Sequence, residues 1–133
     1  MIHLVLVSHS DLAESYKRTV KMIAGTVQAE RISTVCMTEQ MSPEEFIARA
    51  DAVRAEDPDG SFLIMADLYG ASPCSSSLMA FRGADYRVVT GMNLGMVLET
   101  LASIDSTPSL AELAGVAEGA GKEGVKTVYI PDC

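Results

Sequence analysis

Apolar positions along the chain follow two alternating rhythms. Ile2-His3-Leu4-Val5-Leu6-Val7 is a run rich in leucine and β-branched residues, bounded by Ser8-His9-Ser10, and it predicts a first strand buried on both faces of a parallel sheet. From Asp11 the spacing turns helical: Leu12, Tyr16, Val20 and Ile23 share one face, Ser10 reads as the N-cap and Gly25 lies just past the end. The unit then recurs. Residues 31–37 read as a second strand, and Ser42-Pro43-Glu44-Glu45 supplies cap, N1 proline and capping-box glutamate ahead of the apolar face Phe46, Ile47, Ala50 and Val53. Asp57-Pro58-Asp59-Gly60 is turn chemistry, residues 61–66 a third strand, and Ser72-Pro73 a cap and N1 signal for a helix over 73–81. Residues 86–90 make a fourth strand, Gly91-Met92-Asn93 a turn, and Leu94, Val97, Leu98 and Leu101 the buried stripe of another helix. Ser109 caps a last helix running to about 120, and residues 125–130 read as a fifth strand.

This alternation predicts an α/β fold: a doubly wound, mostly parallel five-stranded sheet with helices on both faces and right-handed crossovers. Gly121-Lys122-Glu123-Gly124 is too short for a helical crossover, so the last strand is expected to lie antiparallel or to pair with another subunit. With neither a linker nor a repeat in evidence, residues 1–133 read as one domain.

Composition narrows the partners. Ten Lys and Arg against 18 Asp and Glu give a net charge of −8, spread along the chain without basic clusters. That argues against nucleic acid or an anionic membrane as partner and favours a basic protein. With 48% apolar and 21% charged residues the chain has material for a core. Cysteines 36, 74 and 133 are odd in number and far apart, which suggests neither a disulfide framework nor a zinc knuckle and fits a reducing cytoplasm. The amino terminus has no basic leader, and no stretch reaches the ~18 apolar residues of a spanning helix, so the expectation is a cytoplasmic protein without membrane insertion.

In open α/β sheets, sites form beyond the carboxyl ends of strands. Ser8-His9-Ser10, the segment from Asp67 to Pro73, and Thr90-Gly91-Met92-Asn93 qualify, and if strands one and three are neighbours, His9 and Asp67 meet. The positive end of a helix dipole disfavours imidazolium, so a histidine at a helix start stays a neutral nucleophile. A carboxylate at one ring nitrogen fixes the tautomer, frees the other lone pair and balances the charge that grows as the ring bonds an electrophile. Helix-start N–H groups after His9 and Ser72 would face an anion on the ring. The constellation points to a phosphohistidine at His9, and Ser10, Leu68 and Ser72 are the candidate phosphoryl-binding residues.

Blander readings exist for each residue taken singly. A histidine after a strand is often a cap or surface group, Asp67 suits a turn cap, and Ser72-Pro73 suits an ordinary helix start. His3 alternates within the strand and reads as structural, so no metal site is expected. Cys74 in a helix's first turn raises the idea of a thiolate nucleophile, against the commoner small buried residue. Ser72, Ser75, Ser76 and Ser77 lack the G-x-S-x-G elbow of a hydrolase. Met92 and Met96 read as core filler.

The chain resembles the mannose-type enzyme IIA domain of the phosphoenolpyruvate-dependent sugar phosphotransferase system. The resemblance rests on Leu4-Val5-Leu6-Val7-Ser8-His9, on Met65-Ala66-Asp67-Leu68-Tyr69-Gly70-Ala71-Ser72-Pro73, on residues 88–99 and on Gly121-Lys122-Glu123-Gly124-Val125-Lys126. It implies that His9 accepts a phosphoryl group on Nε2 from the histidine-containing phosphocarrier protein and passes it to a IIB component, with Asp67 orienting the ring. It also implies a homodimer whose last strand is exchanged, and no cofactor. Ser10 and Ala71 stand where the family commonly has glycines, and Ser8-His9-Ser10 looks instead like the phosphoryl-donor subunit of dihydroxyacetone kinase, the second reading. A third is a non-catalytic flavodoxin-like module that binds an anion or a partner at the same crevice.

Overall fold

Four strands and six helices alternate along residues 1–131, the part of the chain that the computed structural model describes. The strands are β1 (Ile2–His9), β2 (Ile32–Met37), β3 (Ser61–Ala66) and β4 (Asp85–Thr90). They form one all-parallel sheet in the order β2-β1-β3-β4. The continuous apolar run Leu4 to Val7 has no exposed surface because β1 lies inside the sheet with side chains packed on both faces. Leu4 and Leu6 point into a layer built with α1 (Leu12–Ala24), α2 (Thr26–Glu30), α5 (Leu94–Ser103) and α6 (Leu110–Glu123). Val5 and Val7 point into the opposite layer, with Phe46 and Ala50 of α3 (Pro43–Ala55) and Cys74 and Ala80 of α4 (Ser72–Ala80).

The sheet is therefore doubly wound, with four strands and not five. Among the described residues, 125–130 pair with no strand, and Val125, Val128, Tyr129 and Ile130 are 63–81% exposed. Their β-branched pattern suits a strand, but the segment forms no ladder with either edge of the sheet. β4, paired only with β3, keeps its outer edge open.

Three further details depart from the sequence reading. The buried face of α1 is centred on Ala13 and Val20, leaving Leu12 and Ile23 about half exposed, because Ala13, Tyr16 and Val20 already fill the i, i+3, i+7 stripe over the sheet. α2 has no counterpart in the sequence pattern, since five residues are too few to show a period; Gly25 at φ +93° ends α1 and the chain immediately turns into helix again. Cys133 lies outside the described residues. Met92 and Met96 are buried in the core, and the caps Ser42 and Ser109 accept from Glu45 N–H and Glu112 N–H as their patterns predict.

Phe46, Phe62 and Phe81 are fully buried, and each such side chain contributes about 1.5–3 kcal/mol. Exposed pairs such as Lys122–Glu118 contribute under about 1 kcal/mol, so the two apolar layers hold the fold. At the amino ends of the strands His3 is indeed structural. Its ring stacks on Phe62 and its Nε2 pairs with Asp57 at 2.6 Å, a bond that holds the Asp57 carboxyl below its ordinary range.

Candidate functional site

The chain leaves β1 toward one face of the sheet and β3 toward the other, so a crevice opens between their carboxyl ends. His9 is the last residue of β1, and Asp67 the first after β3. Because these strands are neighbours, the two side chains meet. Asp67 Oδ2 accepts the His9 backbone N–H at 2.9 Å and lies 2.8 Å from ring Nδ1. Asp67 Oδ1 accepts the Leu68 N–H at 2.9 Å. With three bonds and 10% exposure, the carboxylate is fixed, while the ring is 46% exposed. A carboxylate oxygen can only accept, so Nδ1 carries a proton toward it, and in the neutral ring the lone pair is left on Nε2.

This orientation arises from the strand, not from a helix dipole. His9 still belongs to the sheet, in register with Met37, and α1 starts three residues later. Ser10 is not the N-cap of α1. Its φ of +51° places it in the left-handed region, and its N–H donates to Met37 O at 2.8 Å. Asp11 occupies the N-cap position without a side-chain cap bond, and the fully buried Ser8 takes over that work, its Oγ accepting the Ala13 N–H at 2.8 Å. A serine directly after the buried run Leu4 to Val7 is the signal that the sequence carries.

Ser10 and Leu68 thus flank the His9–Asp67 pair, with both backbone N–H groups already engaged. Ser72 stands apart, as the first residue of α4 with Ala71 as N-cap; it is exposed, and its hydroxyl and N–H make no hydrogen bond among the described residues. Ser75 and Ser77 spend their hydroxyls on the carbonyls of Ala71 and Pro73, at 3.1 and 2.6 Å, and Cys74 is buried, so none of these three is a free nucleophile beside the histidine. Among the described residues no three His, Cys, Asp or Glu side chains gather as metal ligands.

An open cleft of about 830 Å³ borders His9 on the β2 side, lined also by Asp11, Glu14, Cys36, Thr38 and Glu39. Three of these are carboxylates, and Glu14 is held by the Thr34 hydroxyl. Sequence reasoning did not assemble this rim, since its members come from two separate connections. Tyr16 was read only as a packing residue, yet its hydroxyl donates to Met92 O at 3.2 Å near the site. Burial, and behind it the charge of Asp67, push its phenol above the ordinary value.

Comparison with known proteins gives a consistent picture. A family model described as EIIA-man, PTS system fructose IIA component, matches residues 3–117. The chain is 30% identical over 129 residues to the PTS system mannose-specific EIIAB component of Escherichia coli, an alignment covering 96% of this chain and 39% of that protein. It thus spans about two fifths of the length of the curated relatives it matches. Among solved structures it resembles the mannose/sorbose specific IIA subunit of the phosphotransferase system from Enterococcus faecalis, with TM-score 0.89 and 30% identity over 98% of this chain and 97% of that one. The phosphotransferase system component EIIA from Streptococcus agalactiae shares the fold, with TM-score 0.81 and 22% identity over 96% and 97% of the two chains.

Proposed function

Since the chain belongs to the EIIA-man family of phosphotransferase-system IIA components, we propose that it carries a phosphoryl group on His9 in a sugar phosphotransferase relay. The observation behind this reading is the Asp67–His9 pair, which leaves Nε2 as the ring's free lone pair on a half-exposed side chain. The donor is the histidine-containing phosphocarrier protein. As His9 Nε2 attacks in line, the new N–P bond forms while the donor's N–P bond breaks, and the donor ring leaves with that electron pair. His9 becomes an imidazolium whose Nδ1–H is already bonded to a carboxylate, so Asp67 balances the new charge without rearrangement.

Passage to a IIB component repeats the step with His9 as donor. Both transfers run between protein side chains, and the proposal includes no metal or nucleotide. Ser72, whose hydroxyl and N–H make no hydrogen bond among the described residues, stands at the start of α4 as one donor to the phosphoryl oxygens. Ser10 contributes its hydroxyl, and Leu68 its N–H where that bond is shared between Asp67 and a phosphoryl oxygen. The carboxylates Asp11, Glu14 and Glu39 beside His9 suit a donor whose docking face is positive.

The same reading includes a homodimer. Residues 125–130 carry exposed apolar side chains without a partner, and β4 offers an unpaired edge beside a cleft of about 440 Å³ lined by Val88, Val89 and Met96. The exchange of this segment onto the β4 edge of a second copy satisfies both. The dihydroxyacetone kinase reading is not favoured, since the matched family and relatives are phosphotransferase-system components.

The test is intact-mass spectrometry at neutral or alkaline pH after incubation with phosphoenolpyruvate, enzyme I and the phosphocarrier protein. The expected result is an acid-labile gain of one phosphoryl group that His9→Ala lacks while keeping its fold. No gain with competent donors would leave the non-catalytic module as the better account.

A further inference from the structure

The proposed relay makes no use of Tyr16, yet the structure connects this residue to Asp67 through the backbone. Tyr16 Oη donates to the carbonyl of Met92 at 3.2 Å, in the loop between β4 and α5. The N–H of the same Met92 donates to the carbonyl of Ala66 at 3.0 Å, and Ala66 is the residue immediately before Asp67. Two hydrogen bonds in series thus run from the helix that follows His9, across the β4–α5 loop, to the strand end that carries the carboxylate. Met92 is a firm intermediate because its side chain is buried in the core. Asp67 is restrained from its other side by His9 and Leu68, so its position is set by four elements and not by its own turn alone.

The ring of Tyr16 adds a separate observation. It packs partly against the core layer and borders a notch of about 160 Å³ with Leu12, Ser15, Thr19 and Leu94. A phenylalanine would meet those packing needs equally well. The hydroxyl is the surplus feature, and it is a half-buried donor with one acceptor. Burial first, and the charge of Asp67 second, push that phenol above its ordinary value, and it donates as the neutral hydroxyl.

We propose that Tyr16 is a positioning residue for the phosphoryl-transfer site: acting through Met92, it fixes the carboxyl end of β3 so that Asp67 holds His9 in the Nδ1–H tautomer. The inference rests on the proposed function for its kinetic consequence, but its structural content concerns the unphosphorylated protein. Without the hydroxyl, the Met92 carbonyl loses its side-chain donor, the β4–α5 loop is freer to shift, and the carboxylate explores positions from which it grips Nδ1 less well.

The experiment compares wild type with Tyr16→Phe, and with Tyr86→Phe on β4 as a control for loss of a tyrosine hydroxyl elsewhere. Imidazole 15N shifts of His9 read the tautomer in the free protein, and transfer kinetics from the phosphorylated phosphocarrier protein give kcat and KM separately. Tyr16→Phe is expected to lower the Nδ1–H fraction and to reduce kcat about fivefold, the rate equivalent of one hydrogen bond, with KM for the donor protein nearly unchanged. Tyr86→Phe is expected to change neither. An unaltered tautomer in Tyr16→Phe, with or without a fall in kcat, would overturn the proposal, as would an equal effect of Tyr86→Phe. If wild type itself accepts no phosphoryl group, the functional reading falls, and the tautomer measurement alone still decides the role of Tyr16.

Discussion

Ser10 holds a backbone conformation, φ +51°, that an L side chain adopts at a cost, and it does so next to the histidine at the centre of the site. The Ser10 N–H to Met37 O bond fixes this turn, and with it the direction in which the chain leaves β1. Ser10→Gly removes the cost of positive φ and gives back part of the gain as unfolded-state entropy, so it should raise stability by about 0.5–1 kcal/mol. A rise in the urea midpoint at constant slope is the expected reading; a fall would mean that the hydroxyl contributes more than the strain removes. His9 and Asp67 were legible in the sequence because each closes an apolar run that must be a strand, and neighbouring strand ends bring their side chains together. The left-handed Ser10 was not legible, because serine gives no sign of positive φ. Nor was Tyr16, whose acceptor is a backbone carbonyl 76 positions away.

Secondary-structure elements were readable where burial imposes a pattern and obscure where it does not. All four strands of the sheet follow from apolar runs, and the caps of α3 and α6 from their serines. The face of α1 was misjudged because leucine and isoleucine outweigh alanine in any apolar stripe, whereas the close approach of α1 to β1 selects the small Ala13. Its amino end is held by the buried Ser8, which lies inside β1 and links strand end to helix start through Ala13 N–H. Ser8→Ala would leave that donor unpaired in the core and should cost about 1–3 kcal/mol, more than the ~1 kcal/mol typical of an exposed cap such as Ser42. Equal costs for Ser8→Ala and Ser42→Ala in chemical denaturation would contradict this account of how α1 begins.

At the scale of the whole molecule, the doubly wound order places β1 and β3 side by side at the switch point, and that topology creates the site. The same topology leaves β4 at an edge. The expectation of a fifth strand at residues 125–130 is not met among the described residues, because a β-branched pattern marks a segment fit for a strand without supplying the edge that it pairs with. If that segment is exchanged, deletion of residues 125–133 should convert a dimer of about twice 14.1 kDa into monomer in light scattering. A monomeric chain of residues 1–133 would refute the exchange.

The central claim is that Asp67 occupies Nδ1 of His9 and so directs chemistry to Nε2. Two-dimensional 1H–15N NMR of the phosphorylated protein, labelled at histidine, reads which ring nitrogen bears the phosphoryl group. Phosphorylation of His9 at Nε2, with Nδ1 retaining its proton, is the predicted result. A phosphoryl group on Nδ1, or on a residue other than His9, would contradict the account.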